Sequence, residues 1–411
     1  MSEFVIVGGG VAGLVTARCL ALGGATVTVL EGSDRFGGIV AEHSVGGISL
    51  DAGAESFATR GDTVAALAEE LGLDVVAPLD SPAWLYRTSG EPVPLPATSV
   101  LGIPGVPLAN DVIAAVGFGT AFRGFLDILL PAGAGLKSGT LGGLVRTRMG
   151  AAMLEGLVTP VVRGVHSAHP DELQLDQVAP FLRAELRREG SLSHAVRSLR
   201  ESAPAGSAIA GIRGGVHLLA SALVADLNRP DVTLRTGARV DSVVPDAVTI
   251  GGETVRGTVV LAASGLRAPN AGRHLTLATL VVDAPELDAA PRGTGLLVAD
   301  GAPGIRARAL THSTAKWPWL AELTGGRHVL RLSYDGHPDD LADTAREDAA
   351  RLLGITLSPS SVSDFATVRW TRPAPEPRDD EFPAVGEAAG GTGLAAVVAY
   401  AEATAARLLA D

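Results

Sequence analysis

A chain of 411 residues exceeds what one simple domain uses and suits two or three, with ample length for buried cores. Its formal charge of −12 argues against nucleic acid as a partner, while 31 arginines beside only two lysines leave room for a local cationic cluster facing a small anionic molecule. The single cysteine, Cys19, rules out an intramolecular disulfide and fits a reducing cytoplasm.

The chain opens on a predicted strand, residues 3–7, so no signal peptide is expected and the cytoplasm is the expected location. A helix over 11–22 and a second strand over 25–30 complete a compact βαβ unit, with Cys19 as a packing residue in the helix. The glycine run Gly8, Gly9, Gly10, followed by Ala12 and Gly13, falls at the strand-to-helix turn. Gly8 permits the tight turn, Gly10 lets the backbone approach a pyrophosphate, and Gly13 lets the helix pack closely on the strand. The free N–H groups of the helix start attract phosphate charge. Glu31 closes the second strand, where a carboxylate can accept both ribose hydroxyls and would repel a 2′-phosphate, so an adenine dinucleotide other than NADP is expected.

Further along, Asp62 is placed to cap a helix whose Val64, Leu67, Ala68 and Leu71 share one face, and Gly72 ends it. The stretch 92–110 is uncharged but holds five prolines and cannot form a spanning helix; its Pro-rich part, to about 107, reads as a connector. It leads into a mainly helical region with helices over 140–148 and 177–188. The apolar character of 112–122 and 128–136 reads as the wall of an apolar cavity, with peripheral contact to a membrane surface as the alternative.

Gly214-Gly215 then precede a helix carrying Val216, Leu218, Leu219, Ala222 and Leu223. Strands follow at 232–235, 239–244, 248–250 and 254–262, with Gly251-Gly252 as a hairpin turn. Strand-like runs at 275–282, 295–298 and 327–333 accompany one helix, 340–353, before a last strand at 382–385 and a helix at 394–409. The dinucleotide domain is therefore expected in three pieces, 1–88, 205–265 and 371–411, separated by a helical subdomain (89–204) and a substrate-binding domain (266–370).

Several motifs together resemble one family. They are "GGGVAGL"; "RFGGIV", with Arg35, Gly37 and Gly38; "LDAGAESFATR"; the Arg-rich segment at 146–175; "GIRGGVHLLASAL"; "ARVDSVV"; "STAKWPWL" followed by "VLRLSYDG"; and "VGEAAGGTGLAAVVAYAEA". The chain is similar over nearly its whole length to the oxygen-dependent porphyrinogen oxidases of haem synthesis, the group of protoporphyrinogen oxidase and bacterial coproporphyrinogen III oxidase within the flavin amine oxidase superfamily.

That resemblance implies FAD, and an α/β and α+β fold: a Rossmann-like FAD domain of the two-dinucleotide-binding type built from discontinuous segments, a mixed-sheet substrate domain and a mainly helical subdomain. It implies that Gly53, Ala54, Glu55 and Ser56 pass close to the flavin and that Val240 lies beside the adenine. It also implies that Gly386 and Glu387 lie near the ribityl and phosphate, and that Thr392, Gly393, Leu394 and Ala395 start a helix aimed at the pyrimidine edge. There the positive end of a helix favours the negative charge of reduced flavin.

The implied reaction is a six-electron oxidation of a tetrapyrrole, with molecular oxygen as acceptor and hydrogen peroxide as product. Coproporphyrinogen III is preferred over protoporphyrinogen IX because no membrane anchor is evident. No acid–base residue is assigned. Arginine suits the substrate carboxylates, with Arg60 first and Arg146, Arg148 and Arg163 behind it. Lys316 is a candidate substrate contact or a turn-flanking residue, and Trp317 and Trp319 read as packing. His166 and His169 lack a third ligand, so no metal is expected. One departure is the short segment between Trp370 and Gly386, which leaves the pocket wall and the substrate open. A flavin amine oxidase, a carotenoid desaturase-like enzyme and a catalytically silent flavoprotein remain as alternatives; the first would want a lysine in 275–282, where none occurs.

Overall fold

The structure is a computed structural model that describes residues 2–59, 61–201, 208–263, 272–374 and 381–410. Two compact units emerge: Met1–Pro78 with Ser207–Leu275 and Val368–Asp411, and Leu79–Gly206 with Thr276–Thr367.

The first unit is built on a parallel sheet in the order Val232–Arg235, Thr26–Leu30, Glu3–Val7, Thr258–Leu261. Because both faces are covered, the central strand is apolar without alternation, and Phe4, Val5, Ile6 and Val7 are all buried. Phe4 and Ile6 join Leu14, Leu20, Val27, Val29, Leu219, Leu223 and Val398 under the helices Val11–Leu22, Leu218–Asp226 and Leu394–Ala410. Val5 and Val7 point the other way, joining Leu30, Val248, Val259 and Phe382 beneath the antiparallel strands Ser242–Val244, Ala247–Ile250 and Glu253–Arg256. A short sheet of Phe57–Ala58, Ile209–Ile212 and Val75–Val76 ties distant parts of the chain together.

Four expectations for this unit change. The strand expected over 254–262 is two, Glu253–Arg256 and Thr258–Leu261, because Gly257 turns at φ +143° where an added Cβ would stand 2.9 Å from the Glu3 carbonyl. The strand expected over 239–244 begins only at Ser242. Residues 382–385 make a single parallel bridge, Ala384 to Leu261, since Pro383 has no N–H to continue a ladder. Asp62 precedes its helix in a left-handed conformation (φ 52°) and accepts no capping hydrogen bond, because the capping reach needs extended backbone.

The second unit carries a mixed seven-stranded sheet in the order Val362–Arg372, Arg273–Val282, His328–Asp335, Ala309–His312, Gly295–Val298, Trp84–Tyr86, Pro92–Pro94. Gly295–Val298 pairs parallel with Trp84–Tyr86 and antiparallel with Ala309–His312. The helix Leu341–Leu353 covers this sheet through Leu352 and Leu353 against Leu330, Leu332 and Tyr334. A separate helical core gathers Leu141, Leu144, Met149, Met153, Leu157, Leu186 and Val196. The Pro-rich connector thus supplies an edge strand, the one sheet position that tolerates proline. The helix expected over 177–188 is interrupted into Leu175–Val178 and Leu182–Glu189, because Pro180 pushes Ala179 out of helical geometry (φ −142°, ψ 64°).

Candidate functional site

The glycine turn of the first unit is shaped from two directions. At Gly8 (φ +116°) a Cβ would stand 2.7 Å from the Ala263 nitrogen; at Gly13 it would run into the Gly8 carbonyl oxygen, and at Gly9 into the Phe36 ring. At Gly10 an added Cβ meets nothing within 4 Å. Three of these glycines are therefore required by the protein, whereas Gly10 faces open space at the start of the Val11–Leu22 helix, which no side chain caps. That is the backbone approach a diphosphate needs.

Glu31 is held rigidly in front of this turn. Its Oε2 accepts from the Gly9 N–H at 2.7 Å and its Oε1 from the Ser33 N–H at 2.8 Å, leaving lone pairs on both oxygens for hydroxyl donors. The second motif docks on the first: the Gly37 N–H donates to the Gly9 carbonyl at 2.8 Å, and a Cβ on Gly38 would lie 3.3 Å from the Gly10 Cα. Arg35 donates to the Gly38 carbonyl at 3.0 Å and so stiffens its own turn. The Ala238 N–H donates to the Glu31 carbonyl at 2.8 Å, and half-buried Val240 packs against the cluster that holds Val5, Val7 and Leu30.

The remaining segments arrive through specific anchors. Gly53 packs so closely that a Cβ would be 2.5 Å from the Ile39 carbonyl, and Ala54, Glu55 and Ser56 follow as exposed or half-buried residues. Asp51 at the head of this segment is buried and accepts from the Val216 N–H (3.1 Å), the His217 N–H (2.7 Å) and the His217 Nδ1 (2.9 Å). Sequence reading gave neither residue this role, because nothing local connects partners 166 positions apart. At the C-terminal end, a Cβ on Gly386 would lie 3.8 Å from that of Ala12, which joins the last chain segment to the glycine turn. Glu387 receives the Gly393 N–H at 3.4 Å and pairs with Arg372 at 3.5 Å, a contact also not foreseen. Gly393 faces open space, and Thr392, Leu394 and Ala395 are half-buried at the start of the Leu394–Ala410 helix. The Ala395 carbonyl accepts from the Thr63 hydroxyl at 3.5 Å. These residues fit a flavin adenine dinucleotide: an open glycine before a helix start, a fixed carboxylate, and a second glycine-lined helix start joined to them.

The described cationic candidates, Arg146, Arg148, Arg163 and Lys316, belong to the second unit. Arg60 lies outside the described residues. Arg148 corrects the expectation of a substrate contact. It is completely buried in the helical core, paired with Asp127 and donating to the carbonyls of Asp127, Pro131, Ala134 and Gly190, so its donors are used internally. Arg146 is exposed and clamps Asp171 with two bonds of 3.0 and 2.6 Å, which holds the Asp171 carboxyl below the usual range. Arg163 bridges Asp300 and Asp335, the latter at 2.9 Å. Lys316 sits 5.1 Å from the Trp317 ring centroid, and its carbonyl accepts from the Leu79 N–H at 2.9 Å. His169 lies 3.4 Å from Glu155, and among the described residues no cluster of three or more His, Cys, Asp or Glu could hold a metal.

A buried histidine pair also escaped sequence reading. His312 Nε2 lies 3.1 Å from His328 Nδ1, and His328 Nε2 lies 3.1 Å from Asp288. Since Asp288 only accepts, His328 offers Nδ1 as an acceptor and His312 donates through Nε2. Burial, with the neighbouring His328, lowers the His312 pKa to about 4.

Comparison with known proteins bears on the same regions. The family described as flavin containing amine oxidoreductase matches residues 11–286. Coproporphyrinogen III oxidase of Propionibacterium freudenreichii subsp. freudenreichii is 27% identical over 435 aligned residues, spanning 91% of this chain and 81% of the relative. The enzyme of the same name from Bacillus subtilis (strain 168) is 23% identical, spanning 90% of this chain and 87% of its own. Among solved structures, a protein from Exiguobacterium sp. 255-15 provisionally assigned as a protoporphyrinogen oxidase is alike in fold, with a TM-score of 0.81 at 21% identity over 100% of this chain and 99% of that one. A putrescine oxidase double mutant gives a TM-score of 0.67 at 15% identity, covering 100% of both chains. The chain belongs to the flavin containing amine oxidoreductase family and is a flavin-dependent oxidoreductase.

Proposed function

We propose that this chain binds FAD and oxidises a porphyrinogen, coproporphyrinogen III ahead of protoporphyrinogen IX, with molecular oxygen as the final acceptor and hydrogen peroxide as the released product. The cofactor part rests on one observation: Glu31, fixed by two backbone N–H groups, stands beside a Gly10 that faces open space. The substrate part draws on relatives named coproporphyrinogen III oxidase that align over nine-tenths of the chain.

In this reading the helix start at Gly10 and Val11 takes the diphosphate, Glu31 takes the adenosine ribose, and Val240 packs on the adenine. Arg35, Gly37 and Gly38 brace that turn, and Gly53, Ala54, Glu55 and Ser56 line the flavin. Bound FAD supplies a two-electron acceptor that must be used three times to remove six electrons from a porphyrinogen. Gly386 brings the C-terminal segment to the cofactor, and the start of the Leu394–Ala410 helix, from Thr392 to Ala395, turns its positive end towards the ring edge where reduction places negative charge. Arg372, by pairing with Glu387, offsets a carboxylate that would otherwise face the phosphates. Arg60 remains the first choice for a substrate carboxylate. Arg146 and Arg163 are weaker choices, because a propionate would have to displace Asp171, or Asp300 and Asp335. Lys316 is a further candidate, on the helix Ser313–Lys316. The strand Arg273–Val282 contains no lysine, which weighs against amine oxidation.

The test is an aerobic assay of the FAD-loaded chain with each porphyrinogen, reading porphyrin fluorescence and peroxide together. Fluorescence from coproporphyrinogen III, with three peroxides per porphyrin, is the expected result. A protein that holds FAD yet oxidises neither porphyrinogen overturns the substrate assignment, and turnover of an amine or a polyene replaces it.

A further inference from the structure

We propose that His217 is a positioning residue for the flavin, acting through Asp51 on the segment 53–56. This rests on the reading of that segment as the flavin's lining. Both residues are buried, His217 at 6% and Asp51 at 8% exposure. Two of the donors that Asp51 receives, the N–H groups of Val216 (3.1 Å) and His217 (2.7 Å), belong to the backbone and would survive most substitutions at 217. The third, His217 Nδ1 at 2.9 Å, belongs to the imidazole alone. Because the Asp51 carboxylate only accepts, this nitrogen carries the proton. The other ring nitrogen, Nε2, lies 3.5 Å from the Ser49 hydroxyl, which donates to Glu42 at 2.7 Å. Gly215 makes the contact possible: at φ +119° an added Cβ would collide with the His217 ring and stand 3.1 Å from Asp51 Oδ1.

The contact bears on 53–56 because of how that segment is held. Gly53, Glu55 and Ser56 are half-buried and Ala54 is exposed, whereas Asp51 and Ala52 before them and Phe57 after them are buried. The course of the segment is therefore set at its two ends. At the far end Phe57 pairs with Ala210 on the strand Ile209–Ile212. At the near end Asp51 is gripped by Val216 and His217, which follow that same strand after the Gly214-Gly215 turn. One stretch of chain, 209–217, thus clamps both ends. The near end has a second anchor, since the Ala52 N–H donates to the Ala41 carbonyl at 2.7 Å and a Cβ on Gly53 would lie 2.5 Å from the Ile39 carbonyl. Ile39 and Ala41 follow the Gly37-Gly38 turn that docks on Gly9 and Gly10. A ligand meeting a segment already fixed at both ends loses less in ordering it, and a supporting contact behind a binding segment sets how exactly that segment sits.

The test compares FAD affinity and the visible spectrum of bound flavin in the full chain. His217→Leu removes the side-chain donor and keeps both backbone donors; it should weaken FAD binding about tenfold, blur the shoulders of the flavin band and raise the residual flavin fluorescence. His217→Asn returns an amide donor near the place of Nδ1 and should restore most of both readouts. Leu227→Ala, a cavity in the same unit's core away from the clamp, is the control: it should lower stability in urea yet keep the wild-type flavin spectrum. Asp51→Asn puts a donor where the carboxylate accepts, at unchanged volume, and should reproduce the spectral change even where His217→Leu fails to fold. Wild-type affinity and spectrum in His217→Leu or Asp51→Asn overturn the proposal and leave the FAD reading standing. So does an FAD loss that merely follows stability through all the variants, with no change of spectrum. A wild-type chain that holds no FAD overturns the reading of 53–56, and this proposal with it.

Discussion

Gly9 and Gly10 are adjacent in the chain but constrained by different neighbours, and substitution separates them. A Cβ at Gly9 would strike the Phe36 ring and approach Glu31, so Gly9→Ala should destabilise the apoprotein itself by about 1–3 kcal/mol in urea unfolding. Gly10 has ordinary extended backbone (φ −70°, ψ 174°) and open space before it. Gly10→Ala should leave apoprotein stability within about 0.5 kcal/mol while weakening FAD binding tenfold or more, as titrated by flavin fluorescence. An alanine at Gly10 that binds FAD normally would mean the diphosphate does not lie there. Arg148 makes the opposite case. Removing it strands the Asp127 carboxylate in the helical core, so Arg148→Ala should cost about 3–5 kcal/mol of stability, and the soluble remainder should keep an unchanged KM. The glycine pattern was legible because its spacing is local. Arg148 was misread because an arginine on a helix reads the same whether it faces solvent or an aspartate 21 positions away.

At the scale of elements, the long periodic ones were legible: Val11–Leu22, Leu341–Leu353 and Leu394–Ala410 fall within a residue or so of expectation. What failed were interruptions and short strands. Pro180 and Gly257 split what reads as one helix and one strand, and Pro92–Pro94 is a strand only because a sheet edge is available to it. The strand ends at His312 and His328 carry a pH prediction of their own. His312 is 1% exposed, and its pKa falls from 6.5 in the unfolded chain to about 4. The folded state thus disfavours the proton that the unfolded state accepts. The stabilisation is complete above pH 6.5 and drains away towards pH 4, with roughly 2 kcal/mol lost by pH 5. Urea unfolding at pH 7.5 and pH 5 should show that difference, and His312→Phe should flatten it. An unchanged slope in the variant would assign the acid sensitivity to other groups.

On the scale of the whole molecule, the first unit draws on three separated stretches of chain, and its probes differ from those of the other unit. Cys19 belongs to Met1–Pro78, whereas Trp84, Trp317 and Trp319 belong to the second unit. Burial raises the Cys19 thiol pKa and half-covers the side chain, so opening of the Val11–Leu22 helix speeds its labelling. A ligand that binds only the folded first unit stabilises it by about 2.7 kcal/mol at a hundred times its Kd. Supplying FAD at that excess should therefore slow Cys19 labelling about a hundredfold, if labelling proceeds through opening of the unit that holds the cofactor. Tryptophan-monitored unfolding should move less, because three of the four tryptophans lie in the other unit. Equal shifts in both probes would show that the two units unfold as one. Cys19 labelling indifferent to FAD would separate the cofactor from the glycine turn altogether, and with it the reading of Gly10 and Glu31 as its cradle.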